Sequence, residues 1–254
     1  MLAEERYEKI LEYLAEKQTV SVNELSEMFS VSTETIRRDL IYLESKGKLK
    51  RVFGGAVKGT TLSHYSDFST RLIENRDKKR ELCEYAAELI EDGDILAIDA
   101  GSTAAVFAEV LLETFSKLTI ITASLDVFER TKGKFSVILS GGEYYEKERS
   151  FYGEIATETI ARLHADKCFI FPSAVTLEHG VEDYVPLLMP VQKKLMEISG
   201  KVLILADSSK YGRRALIKLS PANPEFIYVT DSAIDNRLYR EYSEILYIIK
   251  GNDK

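Results

Sequence analysis

The stretch STETIRRDLIYLESKGKLKRVFGGAVK, residues 32–58, decides the fold of the first part of this chain. Ser32 can cap the free amides of a first helical turn, and three apolar residues then recur on one face of the helix. These apolar residues are Ile36, Leu40 and Leu43. The pair Gly54-Gly55 follows between two short runs of strand-forming residues, which is typical of a hairpin turn. The stretch therefore predicts a helix with a free polar face, followed by a two-stranded ribbon.

Two further helices are predicted upstream of this stretch. Ser21 and Glu24 have the spacing of a capping box, and the helix that they open carries an apolar stripe. The stripe consists of Leu25, Met28 and Phe29. A tight turn near Ser30-Val31 would join this helix to the next one. Residues 4–17 give another amphipathic helix, whose apolar residues are Ile10, Leu11 and Leu14. Three helices of this kind can share one small core.

Charge is distributed unevenly along the chain. Residues 32–58 hold seven basic side chains against three acidic ones, a local balance of +4, which leaves −11 for the rest of a chain whose net charge is −7. One basic patch on an acidic protein is typical of contact with nucleic acid through a single surface. A helix-turn-helix followed by a basic ribbon is the winged arrangement that reads duplex DNA. Contact with another protein is an alternative use of the same fold.

The candidate DNA contacts lie on the polar face of the second helix and along the ribbon. They are Ser32, Thr33, Thr35, Arg37, Arg38, Lys48, Lys50 and Arg51. The segments SVNEL at 21–25, VSTETIRRDL at 31–40 and RVFGGA at 51–56 resemble the N-terminal signature of the DeoR family of bacterial transcriptional regulators. The resemblance implies that the arginines and the neighbouring threonines contact operator DNA. Phe53 departs from the family pattern, in which His often precedes the two glycines, and this bears on operator choice.

The rest of the chain predicts a second, larger domain. With 254 residues and 45% hydrophobic content, the chain has room for a sizeable core beyond a head of residues 1–58. Residues 59–77 are rich in small polar residues and predict a linker to a domain at 78–254. In that domain strand-like runs alternate with helical stretches. The strand-like runs are 95–100, 118–122, 135–140, 167–171, 202–206, 226–230 and 245–249, and the helical stretches include 103–112, 154–163, 190–198 and 233–241. Such alternation predicts an α/β fold with a mainly parallel sheet that binds ligands at the carboxyl ends of its strands.

Polar and glycine residues cluster where the predicted strands end. Residues 99–103, DAGST, follow a strand and open a helix, so that backbone amides, two hydroxyls and the helix dipole can converge on a phosphate. A tight turn with a helix cap is the alternative use of these residues. Lys210 is the predicted cationic partner of an anionic ligand. The full set of candidate effector-binding residues is Asp99, Gly101, Ser102, Thr103, Thr122, Ser124, Gly141, Gly142, Gly153, Asp207 and Lys210.

This second domain resembles the effector domain of the same family, whose Rossmann-like fold is similar to that of ribose-5-phosphate isomerase. The matching segments are DAGST at 99–103, GG at 141–142, ADK at 165–167 and LADSSKYG at 205–212. The resemblance implies a phosphorylated sugar or a related metabolite as the effector. The chain departs from the family at Ala123 and at residues 171–174, 180–182 and 187–190, where polar or glycine-rich segments are usual. We therefore expect an intact phosphate loop beside an altered, more apolar pocket; a regulator that binds no ligand is an alternative.

Several other classes of site are not indicated. Cys83 and Cys168 lie in apolar runs and are predicted to fill the core, and the three histidines lack metal-ligand spacing, so that neither a metal nor a cofactor is predicted. No uncharged apolar run approaches the roughly 20 residues of a membrane span, and the start MLAEER is too polar for a signal peptide. We expect a cytoplasmic protein without a membrane partner.

The sequence as a whole predicts a transcriptional regulator, and in particular a repressor of a carbohydrate operon. Its partners would be operator DNA and a small phosphorylated metabolite. An isomerase with an appended DNA-binding head is the enzyme alternative, but no pair of acid and base residues stands out, and we predict no catalysis. Because one winged head buries only a modest DNA interface, we also expect a homo-oligomer.

Overall fold

The computed structural model describes residues 3–17, 19–45, 48–52, 54–58 and 66–251. The chain divides into two compact units, which we call the head, Met1–Ser66, and the body, Asp67–Lys254. Each unit has apolar core residues of its own. None of the described helices is both long enough and apolar enough to cross a membrane.

The head consists of three helices and a small antiparallel sheet. The helices are α1 (Ala3–Lys17), α2 (Val22–Phe29) and α3 (Thr33–Ser45), and the strands are β1 (Thr19–Ser21), β2 (Leu49–Val52) and β3 (Gly55–Lys58). The strand order is β1-β3-β2. The apolar stripes meet in one core, which includes Ile10, Leu14, Leu25, Ile36 and Leu40. The predicted helices and ribbon are confirmed, whereas β1 escaped prediction because it has only three residues.

Side-chain caps fix the starts of α2 and α3. The backbone amide of Glu24 donates to Ser21 Oγ at 3.1 Å, and the amide of Ser21 donates to Glu24 Oε2 at 3.4 Å, which confirms the capping box. The amide of Thr35 donates in the same way to Ser32 Oγ at 3.1 Å. The prediction that Met28 belongs to the buried stripe is wrong. Met28 is 46% exposed, because the buried face of α2 is formed by residues at positions 22, 25 and 29.

The two glycines of the ribbon have different roles. Gly54 has a φ of +80°, in the left-handed region that a tight turn requires. A Cβ atom on Gly55 would lie 2.0 Å from the carbonyl oxygen of Val20 in β1. The second glycine is therefore required by the close approach of β3 to β1. Phe53, which departs from the family pattern, lies outside the described residues.

A buried ion pair joins α1 to α3. Arg6 Nε donates to Asp39 Oδ2 at 2.5 Å, and Arg6 Nη2 donates to Asp39 Oδ1 at 3.0 Å. Both side chains are buried. Asp39 occupies an inward position of α3, three residues after Ile36, so that the ion pair fixes the rotation of this helix. Arg37 and Arg38 are thereby held on the outward face.

The body is built around a seven-stranded parallel sheet. Its strands are β4 (Ile95–Ile98), β5 (Thr119–Thr122), β6 (Ser136–Leu139), β9 (Ala165–Ile170), β12 (Ser199–Leu205), β14 (Ile227–Thr230) and β15 (Tyr247–Lys250). The strand order is β15-β14-β12-β9-β4-β5-β6, and every pairing is parallel. The order reverses between β4 and β9, which is the point where open sheets of this kind leave a crevice for ligands. All seven strands were predicted from apolar runs, and the parallel α/β fold is confirmed.

Helices cover both faces of the sheet. The helices of the body are α4 (Phe68–Ile73), α5 (Arg76–Ala87), α6 (Ser102–Thr114), α7 (Leu125–Thr131), α8 (Glu154–Ala161), α9 (Met189–Glu197) and α10 (Asn236–Ser243). Leu82, Phe107 and Val127, from α5, α6 and α7, pack in one core cluster, whereas Ile160, Leu195 and Tyr242, from α8, α9 and α10, pack in the other. Cys83 and Cys168 are free, buried thiols, as predicted.

Several short elements of the body were not predicted. They are the hairpin β7 (Glu143–Tyr145) and β8 (Ser150–Tyr152), the antiparallel sheet of β10 (Ala174–Thr176), β11 (Gly180–Asp183) and β13 (Ile217–Ser220), and the helix α7. The missed strands are as short as several strands of the parallel sheet, but none of them lies in the mainly apolar kind of run that marked those strands in the sequence. Of the positions where the sequence departs from the family pattern, Ala174 and residues 180–182 lie in this antiparallel sheet.

The predicted linker at 59–77 requires a correction. Residues 59–65 lie outside the described residues, but Phe68–Ile73 form α4, and α5 begins at Arg76. Both helices belong to the body. The prediction missed α4 because this helix has only six residues and none of them is buried. It missed the start of α5 because residues 76–78 are all charged.

We expect the Arg6–Asp39 ion pair to dominate the electrostatic contribution to head stability. Asp39→Ala leaves the guanidinium of Arg6 buried without its partner, and this should lower the free energy of unfolding by about 3–5 kcal/mol. Glu5→Gln is the control, because the exposed Lys9–Glu5 pair, at 3.0 Å, should contribute less than about 1 kcal/mol. Urea titration followed by hydrogen exchange of the α1 and α3 amides measures both variants. Equal stability of the two variants would contradict the prediction.

Candidate functional site

The outward face of α3 presents the two predicted arginines. The side chain of Arg38 is 79% exposed, and that of Arg37 is 59% exposed. Both lie near Glu34, with Arg37 Nη1 at 3.7 Å and Arg38 Nε at 3.6 Å from its carboxylate oxygens. Exposed ion pairs of this length contribute little to stability, so a DNA phosphate or base can replace Glu34 without a large penalty.

The hydroxyl groups predicted to contact DNA are partly engaged inside the head. Ser32 Oγ accepts the amide of Thr35, and the Ser32 and Thr35 hydroxyl oxygens lie 2.9 Å apart. Ser32 therefore starts α3, which is the alternative role of a serine at this position. Thr33 and Thr35 are half-buried beside the exposed arginines.

The ribbon adds basic groups to this surface. Lys48 is exposed, and Arg51 Nη1 lies 3.7 Å from Glu44 Oε2 at the end of α3. The amide of Arg51 also donates to Glu44 Oε1 at 2.8 Å, which ties the ribbon to the helix. The side chain of Lys50 lies outside the described part of the chain. The recognition-like helix and the ribbon thus form one connected basic surface within the head.

In the body, the loop between β4 and α6 has the geometry of an anion site. Gly101 precedes α6 with a φ of +125° and gives no side-chain cap to the helix. The first-turn amides of the 13-residue helix therefore keep their donors available. Ser102 is buried at the first helical position, and Thr103 is half-buried beside it. An anion at this end would meet amides, hydroxyls and the positive end of the helix dipole.

Lys79 is a residue of this site that the sequence analysis missed. Its Nζ atom donates to Ser102 Oγ at 3.1 Å and to the backbone carbonyl of Arg71. Burial lowers the pKa of Lys79 to about 8. Its position in the sequence could have indicated it, because a lysine is unusual on the buried face of a helix. Lys79 shares the buried face of α5 with Leu82, Cys83 and Ala86.

A second group is a buried polar cluster in which the predicted Asp99 is joined by Asp183 and Gln192, two residues that the sequence analysis missed. Gln192 Nε2 donates to Asp99 Oδ2 at 3.0 Å and to Asp183 Oδ2 at 2.9 Å. Ser173 Oγ donates to Asp183 Oδ1 at 2.7 Å. Gln192 Oε1 is buried and has no hydrogen-bond partner among the described residues. The cluster therefore offers acceptors to a ligand that carries hydroxyl groups.

This cluster corrects the expectation of a more apolar pocket. Phe171, Leu188 and Met189 are indeed buried, but the same segment also brings in Ser173, Asp183 and the nearby Gln192. Glu182 is buried as well and pairs with Arg214, whose Nε lies 3.1 Å from Glu182 Oε2. The region around the altered residues thus contains buried polar side chains as well as buried apolar ones.

The end of β12 contributes further groups to the edge of the sheet where the parallel strands end, which we call the rim. Asp207 Oδ1 accepts the amide of Ser209 at 3.0 Å and the side chain of Asn75 at 3.4 Å. The other oxygen of Asp207 is buried without a partner among the described residues. Lys210 is half-buried at the end of the short helical turn Ser208–Lys210. It lies close enough to help lower the pKa of Lys79 by charge repulsion.

The remaining predicted residues are engaged within the fold. Thr122 Oγ1 donates to the carbonyl of Ile98 at 2.7 Å, and Ser124 Oγ caps α7 by accepting the amide of Val127 at 3.3 Å. Gly141, Gly142 and Gly153 have φ values of +67°, +111° and +90°. A Cβ atom on Gly142 would lie 2.5 Å from the carbonyl oxygen of Tyr152. These five residues shape the loops of the site without presenting an unengaged side chain to it.

The described residues contain no group of three His, Cys, Asp or Glu side chains that could hold a metal ion.

We expect Asp99 to make the stability of the body depend on pH. Burial raises its pKa to about 7, although the hydrogen bond from Gln192 opposes the rise. The unfolded pKa is about 3.9, so between these values the folded state binds more protons, and stability falls as the pH rises from about 4 to about 7, by up to about 4 kcal/mol. Urea unfolding at several pH values should show this fall in the native protein and a flatter profile for Asp99→Asn. Identical profiles would contradict it.

Relatives of this chain are regulators of transcription. It is 35% identical to the uncharacterized HTH-type transcriptional regulator YulB of Bacillus subtilis. That alignment extends over 237 residues, which are 92% of this chain and 91% of that protein. It is 33% identical to the transcriptional repressor AccR of Agrobacterium fabrum, over 90% of each chain. It is 31% identical to the L-fucose operon activator of Haemophilus influenzae, over 96% of this chain and 99% of that one.

Solved structures give a more distant likeness. Ribose 5-phosphate isomerase A from Neisseria gonorrhoeae is 18% identical, with a TM-score of 0.42, over 55% of each chain. The relatives named above are regulators and not enzymes, which confirms the prediction that this chain is not an enzyme. A DeoR-like helix-turn-helix domain matches residues 6–61, and a DeoR C-terminal sensor domain matches residues 74–232. With both domains in this order and alignment over most of its length to these regulators, the protein belongs to the DeoR family of transcriptional regulators.

Proposed function

We propose that this regulator binds its operator through α3 and the ribbon of the head. The observation that carries the proposal is the pair of exposed arginines, Arg37 and Arg38, on a helix whose opposite face is fixed by Asp39. Arginine is suited to reading guanine in the major groove, and a capped helix presents it there without disorder. Lys48, Lys50 and Arg51 would contact phosphates beside the helix.

We further propose that the body senses a phosphorylated, sugar-like metabolite. Support comes from the open amides at Gly101 to Thr103, which suit a dianion, and from the buried acceptors of Asp99, Asp183 and Gln192, which suit hydroxyl groups. One relative is named for the operon of a sugar, L-fucose. A metabolite with a phosphate at one end and hydroxyls along its length would engage both groups.

Regulation would follow from linkage between the two units. An effector that binds one conformation of the body more tightly shifts the population towards that conformation, and only such differential affinity can change operator binding. We propose that the protein is a repressor, which is what the 33% identical relative AccR is named, and that the effector releases it from the operator. A homo-oligomer is part of the proposal, because two heads on one operator bind with the affinity that a single small interface lacks.

We expect the arginines to read sequence and the ribbon to contribute charge. Arg37→Ala or Arg38→Ala should weaken operator binding by about 1–3 kcal/mol and reduce discrimination against other DNA. Lys48→Ala should weaken binding to all sequences similarly and lower the salt slope by about one. Gel-shift titrations at several salt concentrations, with specific and random duplexes, separate the two effects.

Lys9→Ala provides the control for the loss of one basic residue, because Lys9 lies on α1 and pairs with Glu5. Its affinity should stay close to that of the native protein. If both arginine variants bind the operator as well as Lys9→Ala does, the assignment of α3 as the reading helix fails.

We expect phosphorylated metabolites to bind the protein and their unphosphorylated forms not to bind. A ligand that binds only the folded state stabilises it by about 2.7 kcal/mol at a hundredfold excess over its Kd, which a thermal-shift screen of sugar phosphates detects. Ser102→Ala with Thr103→Val should abolish the shift and leave operator binding unchanged. If no phosphorylated compound shifts the melting temperature of a protein that still binds its operator, the ligand-blind alternative takes the place of this proposal.

A further inference from the structure

Lys79 is a buried cation that lacks an anion. The residue is 3% exposed, and its hydrogen bonds go to neutral acceptors, the hydroxyl of Ser102 and the carbonyl of Arg71. No carboxylate of the described residues lies at ion-pair distance from its Nζ atom, although the charge of Asp207 acts on it from farther away. Burying an ammonium group without a counterion is costly, and proteins almost always pair such a group.

The same body shows how a buried lysine is otherwise treated. Lys167 is less buried than Lys79, and its Nζ atom lies 2.5 Å from the carboxylate of Asp94. Arg71 and Glu148 also form a direct ion pair, with Nη2 at 2.7 Å from Oε2. Lys79 is thus more buried than either of these two partly buried cations, and unlike them it forms no ion pair with a described carboxylate.

The surroundings of Lys79 make its lack of a counterion more unfavourable. Its ammonium group is bonded to the first residue of α6, where the helix dipole is positive and the amides have no cap. Two sources of positive potential therefore meet at one buried place. An anionic group of a ligand would satisfy both at once, because it accepts from the ammonium group and from the amides.

Lys79 also connects this place to the beginning of the body. The carbonyl that it binds belongs to Arg71 in α4, the first helix after the segment that leads from the head. Asn75 and Lys78, between α4 and Lys79, donate to Asp207 and Ser208 at the end of β12. The segment 71–79 is thus bonded directly to the strand ends where a ligand would sit.

We propose that Lys79 binds the anionic group of the effector, and that this contact competes with its hydrogen bond to the Arg71 carbonyl and so loosens α4. The proposal rests on the proposed function, since it assigns a ligand to the same site. It differs in making Lys79 the principal cation, in place of Lys210, and in naming the bond that transmits occupancy. An ammonium group drawn towards a dianion leaves the carbonyl of Arg71 without its donor. Because no residue of α4 is fully buried, this helix then depends more on the ion pair of Arg71 with Glu148.

The first test measures phosphate binding by the full chain. The probe is inorganic phosphate, compared with chloride at equal ionic strength, in thermal unfolding and calorimetry. We expect phosphate to stabilise the native protein. We expect Lys79→Met and Lys79→Gln to bind phosphate at least about tenfold more weakly than the native protein does. Lys193→Met, which removes an exposed positive charge on α9, should bind phosphate like the native protein.

Stability without phosphate distinguishes ligand binding from a structural role. Lys79→Met removes an uncompensated buried charge, so in phosphate-free buffer it should be as stable as the native protein or more stable. If both Lys79 variants bind phosphate like Lys193→Met does, Lys79 is not the anion ligand. The same conclusion follows if Lys79→Met is less stable and Lys79→Gln restores both stability and binding. If the native protein responds to neither phosphate nor sugar phosphates, it is the proposed function that fails.

The second test addresses the connection to α4. Hydrogen exchange of the native protein should become faster at residues 69–74 and slower at 102–105 when phosphate is added, and Lys79→Gln should show neither change. If phosphate slows exchange at residues 102–105 while exchange at residues 69–74 stays unchanged or becomes slower, the proposed transmission through the Arg71 carbonyl is wrong. Lys79 would still be the ligand of the anion in that case.

Discussion

The body depends on one constraint, which is that seven parallel strands must all end at the same edge of the sheet. Loops that are far apart in the sequence are therefore gathered along one rim, and the reversal of strand order between β4 and β9 opens that rim to a ligand. Asp99 follows β4, Ser173 follows β9, and Asp207 follows β12. The hydrogen bonds that join Asp183 and Gln192 to this rim become possible only because the sheet has fixed its position.

Charge is treated differently at this rim and elsewhere in the protein. Buried charges away from it are paired directly, as Arg6 with Asp39 in the head and Lys167 with Asp94 in the body. At the rim, burial raises the pKa of Asp99 to about 7 and lowers that of Lys79 to about 8. Burial therefore destabilises the charged form of both groups. Groups whose pKa values are shifted by burial cluster at functional sites, because a ligand supplies the partner that the fold withholds.

Apolar patterns, capping residues and turn residues in the sequence predicted most of the fold. The seven strands of the sheet are continuous apolar runs, as strands buried on both faces must be, and the capping residues Ser21 and Ser32 marked two helix starts. The loop at Gly101, between a strand and a helix, was also predicted, although the same residues would suit a tight turn with a helix cap. The short antiparallel strands were missed because, unlike the equally short strands of the parallel sheet, they do not lie in mainly apolar runs. The helix α4 was missed because its six residues are too few to show a helical period.

The sequence by itself determined the two-domain order, the parallel sheet and the exposed arginines of α3, because each depends on local patterns of apolar, capping and charged residues. Only the tertiary structure decided the roles of Asp39, Lys79 and Gln192. Each is a polar residue at an inward position of an otherwise apolar helix face. The apolar pattern of the sequence shows that such a residue is unexpected there, but it does not identify the group that the residue contacts. Arg6 lies 33 residues from Asp39, and Asp99 lies 93 residues from Gln192. Lys79 has no described carboxylate at ion-pair distance, and its hydrogen bonds go to neutral oxygens. Such contacts are set by how the elements pack, and packing is a property of the folded chain that no single segment contains.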